Sequence, residues 1–359
     1  NDIDIPVPQN ETDVNAVYQD FKQQILPYYK GNIHPRYWSW VEGTGTSTTM
    51  MAEMLAAGLN SNCNNGEHIA IYIESLVIQW LKQALDLPAE RDGSLVSGGS
   101  MANLSCLLVA RNYYTKNLDR TNGVGENKYL IYVTSETHSC IMKAAEIMGL
   151  GSKSIRRINS LPNYSMDVIE LQEAIEQDRK NGFTPFCVVA NIGTVRTGAI
   201  DPINEISIIC KRESLWFHID GAFGVFAKLL PEYKEMLKQV AEADSIAFDL
   251  HKWMYIPYEA GCYFVKNKQL LADAFSLPTD YLSVHERGLA SGPEPMSNLS
   301  IEMSRGFKAL KIWMMIKEHG ITKISKSIKQ NIIQTHYLAH LISGESNLEL
   351  LSEVLLNVV

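Results

Sequence analysis

The sequence predicts an α/β fold, in which a mostly parallel sheet of seven strands is covered by helices on both faces. Two observations predict this fold. Short apolar runs alternate along the chain with segments in which apolar residues recur at helical spacing. Several of the runs also end in small, polar or charged residues, as strands do at the ligand-binding edge of a parallel sheet. The predicted strands are 94–97, 128–133, 154–158, 186–190, 216–219, 245–248 and 262–265.

The predicted helices lie before the first strand and between most of the others. The clearest is 71–87, whose apolar residues form one helical stripe that ends before Pro88. Helices between consecutive parallel strands cover the sheet on both faces, so any ligand is expected at its carboxyl edge. The other predicted helices are 14–25, 101–113, 139–148, 167–179 and 203–212.

Length and charge restrict the possible partners. A chain of 359 residues suggests about two domains, and a formal net charge of −8 argues against nucleic acid or an anionic membrane as partner. No apolar run approaches the roughly 18 residues that a membrane helix needs. The six cysteines are scattered, without metal-ligand spacing, and the first residues do not resemble a signal peptide. We therefore expect a cytoplasmic protein with a small-molecule ligand and no metal.

Lys252 stands in an unusual place for a lysine. It follows the predicted strand 245–248 in a stretch rich in large apolar residues, where an ammonium group costs several kcal/mol unless it is paired or neutralised. A desolvated lysine can act as a nucleophile, for example towards the aldehyde of a cofactor. The alternative is a lysine whose stem is buried while its charged end reaches water.

Other strands end in groups that complement such a lysine. Gly99 and Ser100 precede a helix, where backbone N–H groups could bind an anion, although such a turn is often only a tight turn. His138 and Asp220 follow two further strands. Pyridoxal phosphate needs all of these: an anion site for its phosphate, a carboxylate for its ring nitrogen and a lysine for its aldehyde. The sequence therefore predicts a pyridoxal phosphate site.

Five motifs resemble, in order and spacing, those of the group II pyridoxal-phosphate amino-acid decarboxylases, which include the aromatic amino-acid and glutamate decarboxylases. The resemblance extends from about His34 to the end of the chain. It implies the type I aminotransferase fold, a homodimer with active sites at the subunit interface, and conversion of an L-amino acid to an amine and carbon dioxide. The motifs are Ser97–Leu104, Thr137-His138, Gly193–Pro202, His218–Ala222 and Asp249–Trp253.

The resemblance also implies roles for single residues. Lys252 would bind the cofactor aldehyde covalently, Asp220 would pair with the ring nitrogen, and His138 would stack over the ring. Thr194 would lie near the ring and His218 beneath it. The remaining roles are phosphate binding by Gly99, Ser100 and His251, a position beside the phosphate for Asp249, and contact with the substrate carboxylate for Arg305.

One stretch departs from the family pattern. Family decarboxylases carry a tyrosine on a loop after the lysine motif, whereas 282–298 contains no aromatic residue. Tyr281 just before it and His285 within it are alternative proton donors. A slow protonation step would favour another outcome, such as oxidative deamination to an aldehyde or a carbon–carbon lyase reaction. A catalytically silent binding protein is a further alternative, against which Lys252, Asp220 and His138 argue.

Three regions are predicted on this basis. Residues 1–67 would pack on the dimer partner, 68–315 would form the large cofactor-binding domain, and 316–359 would begin a smaller C-terminal domain. The aromatic-rich stretch 34–40 favours an aromatic or other bulky substrate. The apolar residues of 350–359 are predicted to form the first strand of the smaller domain, which we expect to continue beyond this sequence.

Overall fold

A computed structural model describes residues 6–126, 128–277 and 295–359. The chain forms two compact units, Asn1–Ser39 and Trp40–Val359. In the described part of the first unit, α1 (Val14–Asp20) is capped by the Asp13 side chain, which accepts from the Asn15 N–H. A π-helical turn and a 3₁₀ turn follow it, and most of the apolar side chains of this unit are exposed.

The second unit contains the predicted seven-stranded sheet. The order of the strands is β1-β7-β6-β5-β4-β2-β3. All neighbouring pairs are parallel except those that involve β7, which runs antiparallel to both β1 and β6. The prediction of a mostly parallel sheet is thus confirmed. The strands are β1 Asp92–Val96, β2 Tyr129–Thr134, β3 Ile155–Ile158, β4 Thr184–Asn191, β5 Trp216–Asp220, β6 Ser245–Asp249 and β7 Gly261–Val265.

Helices cover the sheet on both faces. As a result, every strand except β3 is buried along nearly its whole length. Buried side chains of α4, α6 and α9 pack in one apolar cluster, and those of α7, α8 and α10 pack in the other. The helices of this unit are α2 Ser47–Leu59, α3 Ile69–Ala84, α4 Gly99–Tyr114, α5 Leu118–Asn122, α6 Cys140–Ile147, α7 Val168–Lys180, α8 Ile203–Glu213, α9 Lys268–Phe275 and α10 Ala309–Ser343.

The sheet brings five strand ends together. Since β1 and β6 are both antiparallel to β7, β1 runs in the same direction as the parallel strands. The turns after β1, β2, β4, β5 and β6 therefore lie at one edge.

Side chains cap the N-termini of several helices. For example, the Asp167 carboxylate accepts hydrogen bonds from two N–H groups at the start of α7.

Residues 350–359 do not form the predicted strand. The segment is irregular, and its backbone is held by side chains, since the Tyr233 hydroxyl donates to the Leu355 carbonyl over 2.5 Å. Leu356 is fully buried and lies against the turn at Gly193. The apolar residues of this segment fill gaps in the existing core one by one. The predicted boundary at 315/316 falls inside α10, ahead of a break in helical geometry at Gly320.

Candidate active site

A cavity of about 380 Å³ opens at the carboxyl edge of the sheet. Residues from the turns after β1, β2, β4, β5 and β6 line it, as expected from the usual position of ligand sites in parallel sheets. Of the nine residues predicted to bind the cofactor, only His218 is outside the lining, and it is fully buried. The eight that line the cavity are Gly99, Ser100, His138, Thr194, Asp220, Asp249, His251 and Lys252.

Lys252 stands in the turn after β6 with its ammonium group held by a carboxylate. Its Nζ lies 3.1 Å from Asp249 Oδ2, and its side chain is 22% exposed. His251 Nδ1 accepts from the Ala260 N–H over 3.1 Å, and burial lowers the pKa of His251. His251 Nε2 is 3.6 Å from Asp249 Oδ1, too far for a hydrogen bond. Asp249 Oδ1 is consequently buried without a hydrogen-bond partner.

The turn between β1 and α4 can bind an anion. No side chain caps the N-terminus of α4, so the first N–H groups of this helix of 16 residues stay available. A side chain at Gly99 would place its Cβ 2.8 Å from Asp249 Oδ2, closer than such atoms approach. Glycine thus avoids a close contact here, because the backbone of α4 runs directly against the Asp249 carboxylate.

Asp220 ends β5 with both carboxylate oxygens engaged. Oδ1 accepts from the Ala222 N–H over 3.1 Å, and Oδ2 accepts from the Asn103 side-chain amide over 3.2 Å. Burial raises the pKa of Asp220, and the charge of Lys252 opposes that rise. Asn103 was not predicted as a site residue. The available signal was its position four residues after Gly99, on the same face of α4.

His218 lies behind Asp220, away from the cavity. Its Nε2 is 2.7 Å from Asn103 Oδ1, and its Nδ1 is 2.8 Å from Ser245 Oγ. Complete burial lowers the pKa of His218 to about 3. The imidazole is therefore neutral at physiological pH, with both ring nitrogens hydrogen-bonded.

His138 and Thr194 line the cavity from the turns after β2 and β4. His138 Nδ1 accepts from the Cys140 N–H over 3.2 Å, which fixes one edge of the ring. Thr194 Oγ1 accepts from the Ala199 N–H over 3.1 Å and lies 2.7 Å from Thr197 Oγ1. These contacts hold both side chains in hydrogen-bonded turns at the same opening.

A second amide, Asn191, connects these two turns and was also missed by the sequence analysis. Its Nδ2 donates to Thr137 Oγ1 over 3.0 Å and to Asp201 Oδ2 over 2.8 Å. Burial raises the pKa of Asp201 to about 6. Thr137 precedes His138, so Asn191 and Asp201 support the turn that carries the imidazole. Both residues appear in the sequence only as ordinary turn formers.

Comparison with known proteins shows which family the chain belongs to. Residues 1–359 match the family model described as the pyridoxal-dependent decarboxylase conserved domain. The chain belongs to this family. Its cofactor is pyridoxal phosphate, and its reaction is the decarboxylation of an amino acid.

Curated relatives of this decarboxylase carry related names. It is 31% identical over 355 residues to the aromatic-L-amino-acid decarboxylase of Bacillus atrophaeus, a match that covers 98% of this chain and 72% of the relative. It is 27% identical to a tyrosine decarboxylase of Papaver somniferum, with 96% of this chain and 69% of the relative covered. The group II resemblance predicted from the motifs is thus confirmed.

Solved structures share the fold of this decarboxylase. Oryza sativa TDC with PLP and tryptamine superposes with a TM-score of 0.91 at 23% identity, over 99% of this chain and 74% of that chain. Rhodiola rosea 4-hydroxyphenylacetaldehyde synthase gives a TM-score of 0.86 at 24% identity, over 98% and 74%. The predicted fold class is confirmed by these likenesses.

The residues of the cavity fit pyridoxal phosphate. The cavity offers the amine of Lys252, the carboxylate of Asp220 and the uncapped start of α4 as an anion site. Asp249 Oδ1, buried and unpartnered, shows that the polar groups of the cavity are not all satisfied by the protein itself. The donor set therefore matches a ligand that has an aldehyde, a ring nitrogen and a phosphate.

Arg305 does not stand where the resemblance placed it. Its guanidinium forms a buried ion pair with Glu74 and donates to Ser94 Oγ and to the backbone carbonyl of Leu95. Only 3% of Arg305 is exposed, and it does not line the cavity. Arg305 also donates to the Cys63 carbonyl. The predicted contact with a substrate carboxylate is wrong, because the guanidinium is already bound to Glu74 and to these three oxygen atoms.

Other predictions concern parts that the structure does not describe. Tyr281, His285 and most of the stretch 282–298 lie outside the described residues. Within residues 6–126, 128–277 and 295–359, no group of three or more His, Cys, Asp or Glu side chains is placed to hold a metal ion. In the same ranges no helix is both long enough and apolar enough to span a membrane.

Proposed function

We propose that this decarboxylase acts on an aromatic L-amino acid and releases the corresponding amine and carbon dioxide. The observation that carries the proposal is the placement of Lys252, Asp220 and the start of α4 on one cavity, whose lining also includes Trp40 and Phe223. Aromatic rings in the lining suit an aromatic side chain. Both curated relatives described above have names that state aromatic substrates.

The contacts support a role for each of these residues. Asp249 holds the Lys252 side chain inside the cavity, where its amine, once deprotonated, would hold the cofactor through the aldehyde group. Asp220, fixed by Ala222 and Asn103, holds a proton at the ring nitrogen. Pyridoxal phosphate, when bound, supplies an electron sink for the bond between Cα and the carboxylate.

The other groups bind and orient. The first N–H groups of α4, with Gly99 and Ser100, bind the phosphate, and His251 lies beside them. His138, held by Cys140, faces the opening where a flat ring can stack against its imidazole. Thr194 lines the same opening from the turn after β4. A rigid lining keeps one substrate bond in the orientation that breaks, and orientation decides which bond that is.

A homodimer is part of the proposal. Helix α2 exposes a run of large apolar side chains, and such a patch is typical of a subunit interface. The exposed fractions are 56% for Met50, 50% for Met51, 77% for Met54, 50% for Leu55 and 62% for Leu59. Active sites at this interface and a cytoplasmic location stay predictions, as do the two domain boundaries.

The decisive test pairs two lysine variants. Lys252→Met removes the amine from the cavity, so the absorbance band expected between roughly 330 and 430 nm for lysine-bound cofactor disappears, and activity falls on the order of 10⁴-fold. Lys228→Met is the matched control, because Lys228 is also buried but donates to the Leu85 carbonyl, away from the cavity. It keeps the band. Covalent attachment of the cofactor to Lys252→Met after borohydride reduction refutes the proposed role.

A substrate panel tests the rest. Wild-type protein is incubated with L-tryptophan, L-tyrosine, L-phenylalanine, L-glutamate and L-2,4-diaminobutyrate, while carbon dioxide, amine, aldehyde and peroxide are measured separately. We expect amine and carbon dioxide in equal amounts from an aromatic substrate. Preference for an acidic or basic substrate contradicts the aromatic assignment. Aldehyde and peroxide without amine contradict the reaction and favour oxidative deamination, a possibility that the Rhodiola rosea aldehyde synthase makes worth measuring.

A further inference from the structure

A continuous line of hydrogen bonds runs from the sheet interior to the Asp220 carboxylate. Trp216 Nε1 lies 2.8 Å from Ser245 Oγ, which lies 2.8 Å from His218 Nδ1. His218 Nε2 is 2.7 Å from Asn103 Oδ1, and Asn103 Nδ2 is 3.2 Å from Asp220 Oδ2. Four residues thus stand behind one carboxylate, and none of the roles carried over from the sequence includes Asn103, Ser245 or Trp216.

Both ends of this line impose the same direction on it. A carboxylate only accepts, so Asn103 must turn its NH₂ to Asp220 and its oxygen to His218. His218 Nε2 must then carry the ring proton, which leaves Nδ1 as the acceptor for the Ser245 hydroxyl. At the other end, the indole N–H of Trp216 can only donate to Ser245. Every donor in the line therefore points towards Asp220.

The neutral state of His218 is necessary for this direction. Its ring is fully buried, and its pKa of about 3 keeps it uncharged. A protonated ring would have no acceptor at Nδ1, so the Ser245 hydroxyl would lose its partner. The line therefore gives Asp220 a hydrogen-bond donor. It adds no second positive charge beside the ring nitrogen that Asp220 is proposed to hold.

Asn103 also connects two ends of the cavity. It lies four residues after Gly99, one turn along the same face of α4. The start of this helix forms the anion site, and its next turn carries the amide that orients Asp220. The distance between the anion site and Asp220 is thus set by one rigid helical turn.

We propose that Asn103 is a positioning residue, which relays the donors of Trp216, Ser245 and His218 to Asp220 and so keeps Asp220 ionised and oriented towards the ring nitrogen of the cofactor. The proposal rests on the assignment of Asp220 made above. It extends that assignment from one carboxylate to a directed line of four further side chains, of which only Asn103 touches both the line and the cavity.

The main test compares two leucine substitutions in the same helix. Asn103→Leu removes the donor to Asp220, so the dissociation constant of pyridoxal phosphate rises about 10-fold. With ¹⁵N-labelled cofactor, the ring-nitrogen resonance moves from the protonated towards the unprotonated position. Asn112→Leu is the control, since Asn112 is equally buried in α4 but lies outside the cavity lining. It leaves both quantities as in the wild type.

Two further measurements decide the matter if Asn103→Leu fails to fold. Ring ¹⁵N resonances of the wild-type holoenzyme report the tautomer of His218, which we expect to carry its proton on Nε2. Ser245→Ala, further from the cavity, moves the cofactor resonance in the same direction as Asn103→Leu but less. A proton on Nδ1, or resonances and affinities unchanged in both variants, overturns the proposal. Failure of the wild-type protein to bind pyridoxal phosphate would instead refute the assigned function.

Discussion

The two sides of the cavity are built differently. On the Asp220 side, which comprises Asp220, Asn103, His218, Ser245 and Trp216, each side chain has a hydrogen-bond partner within the protein. On the Lys252 side, which comprises Lys252, Asp249 and His251, one buried carboxylate oxygen has none, and the lysine is partly exposed.

The difference separates two tasks. A side that is fully hydrogen-bonded resists change in geometry and in protonation, because any loss leaves a buried polar group unpaired. A side with an unsatisfied group is where a ligand can add contacts and where a lysine can exchange its partner. We therefore expect the Asp220 side to hold a proton in place and the Lys252 side to react.

The largest effect is expected on the Asp220 side, in the pH dependence of stability. Burial lowers the pKa of His218 from 6.5 to about 3, whereas in the unfolded chain the imidazole takes up a proton below about pH 6.5. The contribution of His218 to the unfolding free energy is therefore fully present above pH 6.5 and is lost as the pH falls towards 3. Each pH unit is worth about 1.4 kcal/mol, so the loss approaches about 5 kcal/mol.

His218→Gln isolates this contribution, since glutamine does not titrate and can still donate to Asn103. Urea unfolding of both proteins at pH 7, 6 and 5 measures it. The stability difference between wild type and variant should narrow by about 2 kcal/mol between pH 7 and 5. Parallel curves would mean that His218 is charged or accessible in the folded protein.

A smaller effect is expected where α10 supports the Lys252 side. Asn331 Oδ1 accepts from Trp253 Nε1 over 3.2 Å and from the Tyr255 hydroxyl over 2.5 Å, directly after Lys252 in the chain. Asn331→Leu leaves two donors unpaired and should lower the unfolding free energy by about 2 kcal/mol. Asn331→Asp keeps the acceptor and should stay close to the wild type.

Spectroscopy shows whether this damage is confined to one side. In Asn331→Leu the lysine-dependent absorbance band should weaken, while the ring-nitrogen resonance of the remaining bound cofactor stays at the wild-type position. A change in that resonance similar to the one expected for Asn103→Leu would show that the two sides are not independent.

The smallest effect is expected at the anion site. Gly99→Ala brings a methyl group against Asp249 Oδ2, since a Cβ there would lie 2.8 Å from that oxygen. The carboxylate must shift, and the affinity for pyridoxal phosphate should fall about 10-fold or less, or ~1.4 kcal/mol. Gly306→Ala is the control, because no atom lies within 4 Å of a Cβ at that exposed position. Titration of the cofactor into both variants measures the difference, and equal affinities would exclude close contact at Gly99.

Much of this arrangement could be predicted from local sequence. The strands could be found because their apolar runs are short and end in turn formers, and Lys252 could be found because a cation is rare at such a position. For Asn103 the helical spacing from Gly99 could have indicated a position near the cavity, but not its contacts with Asp220 and His218, which depend on how its amide is oriented. Arg305 was misplaced because its partner, Glu74, is 231 residues away in the chain, and sequence spacing carries no sign of that pairing. For 350–359, apolar composition did not show that Leu356 would pack singly beside Gly193.

The contact between Gly98 and Gly261 has a consequence for the thermodynamics of ligand binding. A side chain at Gly261 would place its Cβ 2.5 Å from Gly98 Cα, so the anion site rests on the first residue of β7 without intervening side chains. Ala260, the preceding residue, donates to His251 beside Lys252. The turn before α4 and the turn that carries Lys252 are thus both anchored at residues 260–261. Little chain entropy remains to be lost there when a phosphate binds, which favours affinity without an ordering cost.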